Sequence, residues 1–302
     1  MFTRRLVLGA AFAASLTAGT AQAQSWKQAY PELVMAVVPA ENASGVTERY
    51  APFVEYLSKE LGTKVTLRVA NDYAAVIEGQ RNGSIQIAGY GPASYARAIV
   101  TGVAVEPFAT TVNNDGTIGY YSVFYVKADS PYKTIDDLKG KNLGLVDPNS
   151  TSGNNVPRFA LNKMKVNPET FFSKVTYAGS HENAVLALQQ GTVDVAANWW
   201  NSDDDSNLTR MANKNLAKRD DFRIIYKSDL IPNSPYAYLA SLPPDLKAAI
   251  AKAFMEAPTK AKAAFDKLSD GKDKEFIKVD AKYYEPVVEL IKFIDQLRKQ
   301  KS

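Results

Sequence analysis

The chain has no cysteine among its 302 residues. That excludes disulfides, thiolate metal sites and a cysteine nucleophile, together with the lipid-modified cysteine that tethers many exported binding proteins. There is a single histidine, His181, so neither an HExxH motif nor a His-rich metal cluster exists. A GxSxG elbow and a GxxxxGK phosphate loop are also missing. Three consecutive acids, Asp203-Asp204-Asp205, cannot all face one point on a strand or helix, so they read as a solvated loop rather than a cation site. Charge of one sign is scarce too. There are 36 basic and 32 acidic residues, interspersed, which leaves no footprint for nucleic acid. These absences argue against an enzyme, a resident metal and a cofactor.

Long apolar runs are equally rare. The longest, Leu6 to Ala18, is too short to span a bilayer as a permanent helix. It follows Arg4 and Arg5 and precedes Ala21-Gln22-Ala23, a small-x-small cleavage site. Residues 1–23 therefore read as a signal peptide cleaved near Ala23, and the arginine pair leaves general and twin-arginine export both open. The leader takes two of the 36 basic residues and none of the 32 acids, so the remaining chain carries +2. An exported chain without a lipid anchor is expected free in the periplasm of a cell with an outer membrane.

What is present is an alternation of apolar runs and amphipathic segments. Strands are expected at 33–38, 64–69 and 85–88, with helices at 46–61, 72–82 and 92–101 between and after them. That βαβαβ order implies a doubly wound, mostly parallel sheet. A second set follows, with strands at 121–126, 142–146, 174–177, 193–196 and 223–227 and helices at 153–164 and 182–190. Helices at 244–256, 258–267 and 283–299 close the chain and are expected to pack on the first lobe. The fold class is α/β with two lobes, 24–121 plus 236–302 and 122–235, and a ligand cleft between them. The polar stretch 201–210 reads as a surface loop or cleft rim.

The most informative stretch is Asp147-Pro148-Asn149-Ser150-Thr151-Ser152-Gly153, after the apolar run Leu143-Gly144-Leu145-Val146. A strand ends and three hydroxyl residues open a helix. Helix N-termini offer unpaired N–H groups and partial positive charge, so the stretch suits a tetrahedral oxyanion. It equally suits a plain N-cap. His181 follows the next strand and a Gly179-Ser180 turn, the same kind of position at a carboxyl strand end, where open α/β sheets bind ligands.

These residues resemble the phosphonate-binding periplasmic proteins of ABC importers. The 147–153 stretch with Val156-Pro157, the segment Asn71-Asp72-Tyr73-Ala74, and Gly119-Tyr120-Tyr121 carry the resemblance, with Ala178-Gly179-Ser180-His181 and Leu230-Ile231-Pro232. The resemblance implies a type II two-lobed binding protein, without catalysis or cofactor, that hands a small oxyanion to an inner-membrane permease. A monomer is expected. It implies that Ser150, Thr151 and Ser152 hold the oxyanion, that His181 donates to it, and that Tyr73 and Tyr120 close over it. Family members that take 2-aminoethylphosphonate use two carboxylates for the amine. Those positions fall here on Asn201 and Ser234, which argues against that ligand unless the nearby Asp203 substitutes. Trp199 and Trp200 offer a wall for an alkyl group or a cationic head, although strand alternation would put at least one of them in the core. Receptors of the same fold for phosphate, sulfate or an organic acid, and a sensing partner of a membrane kinase, are the alternatives.

Overall fold

The computed structural model of the chain describes residues 25–299. The expected signal peptide lies outside the described residues. Strands β1 (Glu32–Val37), β2 (Lys64–Val69), β3 (Ile87–Gly89) and β4 (Val105–Asn113) come first. They are followed by β5 (Gly119–Lys127), β6 (Asn142–Leu145), β7 (Lys174–Tyr177), β8 (Val195–Ser202) and β9 (Asp205–Ser206). Then come β10 (Phe222–Lys227), β11 (Ile231–Pro232), β12 (Tyr236–Leu239) and β13 (Asp273–Lys278). They make two sheets, ordered β13-β4-β12-β3-β1-β2 and β10-β5-β8-β6-β7, with β11 on β5 and β9 on β8.

Each sheet has a parallel centre. β1 pairs in parallel with β2 and β3, and β6 with β7 and β8. Each also takes in antiparallel strands where the chain crosses between lobes. β5 arrives in the second sheet antiparallel to β8, and β12 returns to the first antiparallel to β3 and β4. A strand that enters from the other lobe, without a helical crossover, is free to run this way. The crossings, residues 114–118 and 233–235, are tied together. Asn233 Nδ2 donates to the Thr111 carbonyl (2.9 Å) and to Asn113 Oδ1 (3.1 Å).

Besides the two-residue β9 and β11, three strands were not legible as such. β4 carries Pro107, β12 is only four residues long, and β13 (DKEFIK) is a charged edge strand with one buried residue, Phe276. Helix Pro244–Lys260 runs through Pro258 and breaks at Ala261 instead. Stretch 201–210 is ordered as the end of β8, a tight turn, β9 and the start of helix Asn207–Asn213.

The first core is aromatic, with Phe53, Phe108, Tyr236, Phe254 and Phe276 in mutual contact. Phe53 and Phe254 meet edge to face at 4.9 Å. The second sheet is covered on both faces. Val123 and Tyr125 join one core with Val146, Val185 and Met211, and Phe124 and Val126 join the other with Leu143 and Leu161. The final helix, Glu285–Lys299, sets Val287 and Ile291 on Ala93 and Ala96 of helix Pro92–Val100.

Candidate functional site

The carboxyl ends of the parallel strands in both sheets point at the interlobe cleft. After β6 the chain turns with the Ser150 N–H on the Asp147 carbonyl (2.9 Å), and Ser150 Oγ accepts from the Gly153 N–H (3.1 Å). The Asn155 N–H then reaches back to the Ser150 carbonyl (3.0 Å), so Thr151–Asn155 forms a wide π turn that leads into helix Val156–Lys163. Gly153 is required there, because a Cβ would lie 2.4 Å from the Val146 side chain. The cap and the oxyanion readings of Ser150 are thus compatible, since its oxygen caps the turn and its proton remains available.

His181 opens helix His181–Gln189, which Ser180 caps through the Asn183 N–H (3.1 Å). Its ring is buried. Nδ1 lies 3.0 Å from Asn198 Oδ1, and Nε2 lies 3.5 Å from Ser150 Oγ. Burial pushes the imidazole down to about 4, against the Asn198 hydrogen bond, so the ring is neutral at pH 7.

The first lobe closes over these groups. Tyr73, first residue of helix Tyr73–Arg81, meets Ser150 through its phenol, and Tyr120 at the start of β5 meets Thr151 and Ser152. Burial pushes both phenols up, Tyr120 to about 12, so both keep their protons and can donate. The Ala93 N–H, at the start of helix Pro92–Val100, donates to Thr151 Oγ1 at 2.9 Å. The Ala40 carbonyl accepts from the His181 N–H at 3.0 Å. A clamp completes the closure. Lys214 Nζ lies 2.8 Å from Glu41 of the first lobe and 2.9 Å from Glu182 of the second, and Glu182 also accepts from the Asn42 N–H (2.9 Å).

The cleft encloses a cavity of about 220 Å³. Tyr73, Tyr120, Ser150, Thr151, Ser152, His181, Asn201 and Ser234 all line it. The first six form a corner of neutral hydrogen-bonding groups, while Asn201 and the exposed Ser234 belong to a more charged stretch of wall. Asn201 and Ser234 carry no charge there, but two carboxylates at other positions, Asp205 and Asp273, line the same cavity. Asp203, the substitute considered from sequence, is exposed on the turn between β8 and β9. Asp205 accepts from Asn201 Nδ2 at 3.0 Å. Burial and the neighbouring Asp205 charge push the Asp273 carboxyl up to about 6, against Arg210, Thr111 and Arg49.

Trp199 lines the cavity, as alternation allows, and Trp200 turns to Tyr121 and Lys227. The Trp199 ring is already covered by the Arg210 guanidinium at 4.8 Å, which leaves less room for a ligand cation on that face. Arg210 also lies 3.0 Å from Asp270 of the first lobe, although its Nε–H is not aligned for a hydrogen bond. Arg49, Arg210, Asn198, Asp205 and Asp273 escaped the sequence reading. Asp205 alone had a signal, being part of the acidic run.

Comparison with known proteins identifies the family and the fold. The sequence profile of the family described as "ABC transporter, phosphonate, periplasmic substrate-binding protein" matches residues 35–284. The phosphonates-binding periplasmic protein of Escherichia coli is 34% identical over 226 residues, covering 72% of this chain and 64% of that protein. The phosphate-import protein PhnD of Mycolicibacterium smegmatis is 31% identical over 78% of this chain and 75% of its own length. A crystal structure of a binding protein component of an ABC phosphonate transporter from Pseudomonas aeruginosa superposes with a TM-score of 0.78 at 28% identity. It covers 86% of this chain and 85% of that one. With its type II two-lobed fold and a donor corner between the lobes, the chain belongs to the phosphonate periplasmic substrate-binding protein family of ABC transporters.

Proposed function

We propose that this protein captures a small phosphorus oxyanion, an alkylphosphonate or phosphite, at the corner made by Ser150, Thr151, Ser152, His181, Tyr73 and Tyr120. It delivers that ligand to an inner-membrane permease after export and removal of residues 1–23. The observation that carries the reading is the convergence of these neutral hydrogen-bonding groups from both lobes on one corner of the cleft. Neutral donors at a turn suit an anion without a full countercharge, and closing both lobes on it links binding to the shape a permease would read.

A second reading concerns the ligand's tail. Asp205 and Asp273 are two carboxylates on one stretch of wall, and a ligand ammonium would relieve their repulsion. That favours 2-aminoethylphosphonate, although its family clamp positions are Asn201 and Ser234 here.

Thermal unfolding against methylphosphonate, phosphite, phosphate, sulfate and 2-aminoethylphosphonate tests both readings. A ligand at 100 times its dissociation constant stabilises by about 2.7 kcal/mol. A shift with methylphosphonate or phosphite supports the first reading. A shift chiefly with 2-aminoethylphosphonate, abolished by Asp205→Asn with Asp273→Asn, supports the second. No shift with any phosphorus oxyanion refutes both.

A further inference from the structure

His181 is expected from the family resemblance to donate to the ligand. The hydrogen bonds around its ring assign it the opposite role. Asn198 is oriented by two backbone groups. Its Oδ1 accepts from the Trp199 N–H (3.0 Å), and its Nδ2 donates to the His181 carbonyl (3.0 Å). The amide oxygen is therefore the atom that faces His181 Nδ1, 3.0 Å away. An amide oxygen can only accept, so Nδ1 carries the ring's hydrogen. In a neutral imidazole, Nε2 then has a lone pair, and Nε2 is the nitrogen beside Ser150 Oγ in the donor corner.

Arg49, Arg210, Asp205 and Asp273 line the same cavity, but the titration of the ring is set by burial and the Asn198 hydrogen bond. Tyr73 and Tyr120, from the first lobe, are protonated phenols. Asp147, in the loop after β6, accepts the backbone N–H groups of Asn149 and Tyr73. Glu182, next to the ring on its own helix, is held by Lys214 and the Asn42 N–H, and Glu41 is held by Lys214 and Arg49. The corner itself has donors from Ser150, Thr151, Ser152, Tyr73 and Tyr120, and one acceptor.

We propose that His181 Nε2 is a proton acceptor for the ligand, so that the complex holds one proton between Nε2 and an oxyanion oxygen. The proton arrives on the ligand as a P–OH group, or is taken from solvent when the free ligand is fully ionised; no covalent bond changes. The inference rests on the oxyanion reading above. It gives the site a rule of selection. Oxyanions that ionise a second time near neutral pH, such as phosphonate, phosphite and phosphate, can present that proton. Sulfonate and sulfate have none to present, and would set an oxygen lone pair against that of Nε2. A site built around one hydrogen bond rejects the analogue that lacks the group.

Titration calorimetry of the full mature protein with methylphosphonate, in buffers of different ionisation enthalpy, counts the protons taken up. Above the second ionisation of methylphosphonate, uptake of one proton per ligand is expected, with affinity falling about tenfold per pH unit; below it, affinity is flat. Methanesulfonate is expected to bind about 100-fold more weakly or worse. His181→Gln, whose amide can donate, is expected to flatten the pH profile and narrow the gap to methanesulfonate. Binding of methylphosphonate without proton uptake, or methanesulfonate within tenfold of it, overturns the inference and leaves the ligand reading intact. Failure of methylphosphonate, phosphite and phosphate to bind at any pH overturns both.

Discussion

Replacing Lys214 with Met tests whether the ion clamp across the cleft sets ligand affinity. Lys214 lies in the second lobe, and only its contact to Glu41 crosses the cleft; its contact to Glu182 joins helices of the same lobe and can persist on opening. Glu41 and Glu182 are 5% and 3% exposed, and Lys214 is 31% exposed, so the crossing contact is only partly screened. For Lys214, burial opposes the charge, but hydrogen bonds to Glu41 and Glu182 outweigh it and raise its pKa. For Glu41, burial is outweighed by Arg49 and Lys214, and its pKa is lowered. A hydrogen bond between charged groups contributes roughly 1.5–3 kcal/mol, and Glu41 keeps Arg49 in the variant, so a loss of about 2 kcal/mol in the closed form is expected. If ligand is held only in the closed form, its population falls about 30-fold and the dissociation constant rises by the same factor. The Lys214–Glu182 contact is lost from the open and closed forms alike, so it lowers the melting temperature without added ligand but does not enter the dissociation constant. Calorimetry with a panel ligand, beside thermal unfolding without it, reads the two quantities separately. Unchanged affinity would refute the clamp as a closure device. A fall in unliganded stability with unchanged affinity would show that Lys214 supports the lobe and not the closure. Because Glu41 is held low and Lys214 high, the clamp should work from just above the ordinary carboxylate range up to about pH 10 and fade outside it.

Further outcomes follow from the same geometry. Ser150→Ala with Thr151→Ala removes two hydroxyls from the corner and should weaken binding more than 100-fold, while the lost cap on Gly153 costs about 1 kcal/mol of stability, visible as a small fall in melting temperature. Gly91→Ala sets a Cβ 3.0 Å from Thr151 Oγ1 across the cleft, at an ordinary extended backbone (φ −81°). It should weaken ligand binding several-fold in calorimetry and leave unliganded unfolding unchanged. His181 is neutral when folded, with its pKa near 4 against an ordinary 6.5, so the unfolded chain binds its proton first. Stability should fall by about 3 kcal/mol as pH drops from 6.5 to 4, and His181→Gln should remove that slope in denaturant titrations; an unchanged slope would mean the ring is charged in the fold.

The donor corner was legible because it is local. Ser150, Thr151 and Ser152 are consecutive and follow an apolar strand, and His181 repeats the pattern one strand on, so the rule that ligands gather at carboxyl strand ends places them together. Tyr73 and Tyr120 came from the resemblance, since nothing in their own spacing points at a cleft. The charged stretch of wall was not legible for a physical reason. Asp205 enters the cavity because β9 pairs back on β8, with Trp200 opposite Ser206 and Ser202 opposite Asp205. Asp273 enters because β13 joins β4 at the edge of the other sheet, with Asp273 opposite Asn113. Both placements depend on register between segments far apart or tightly turned, and a stretch of acids or an edge strand rich in Lys and Glu carries no periodicity to announce it.

The role of His181 shows the same division more sharply. Its position was readable, but its proton was not, because the tautomer is set by Asn198, a residue on another strand whose own orientation depends on two backbone bonds. A sequence can say that an imidazole stands at a strand end. Whether it gives or receives a proton is decided by which amide oxygen the fold places behind it. Selectivity between oxyanions of the same size and shape therefore resides less in the hydroxyl run than in the Asn198 side chain that holds the ring. Changing that amide, rather than the hydroxyls, is where discrimination between phosphonate and sulfonate should respond most strongly.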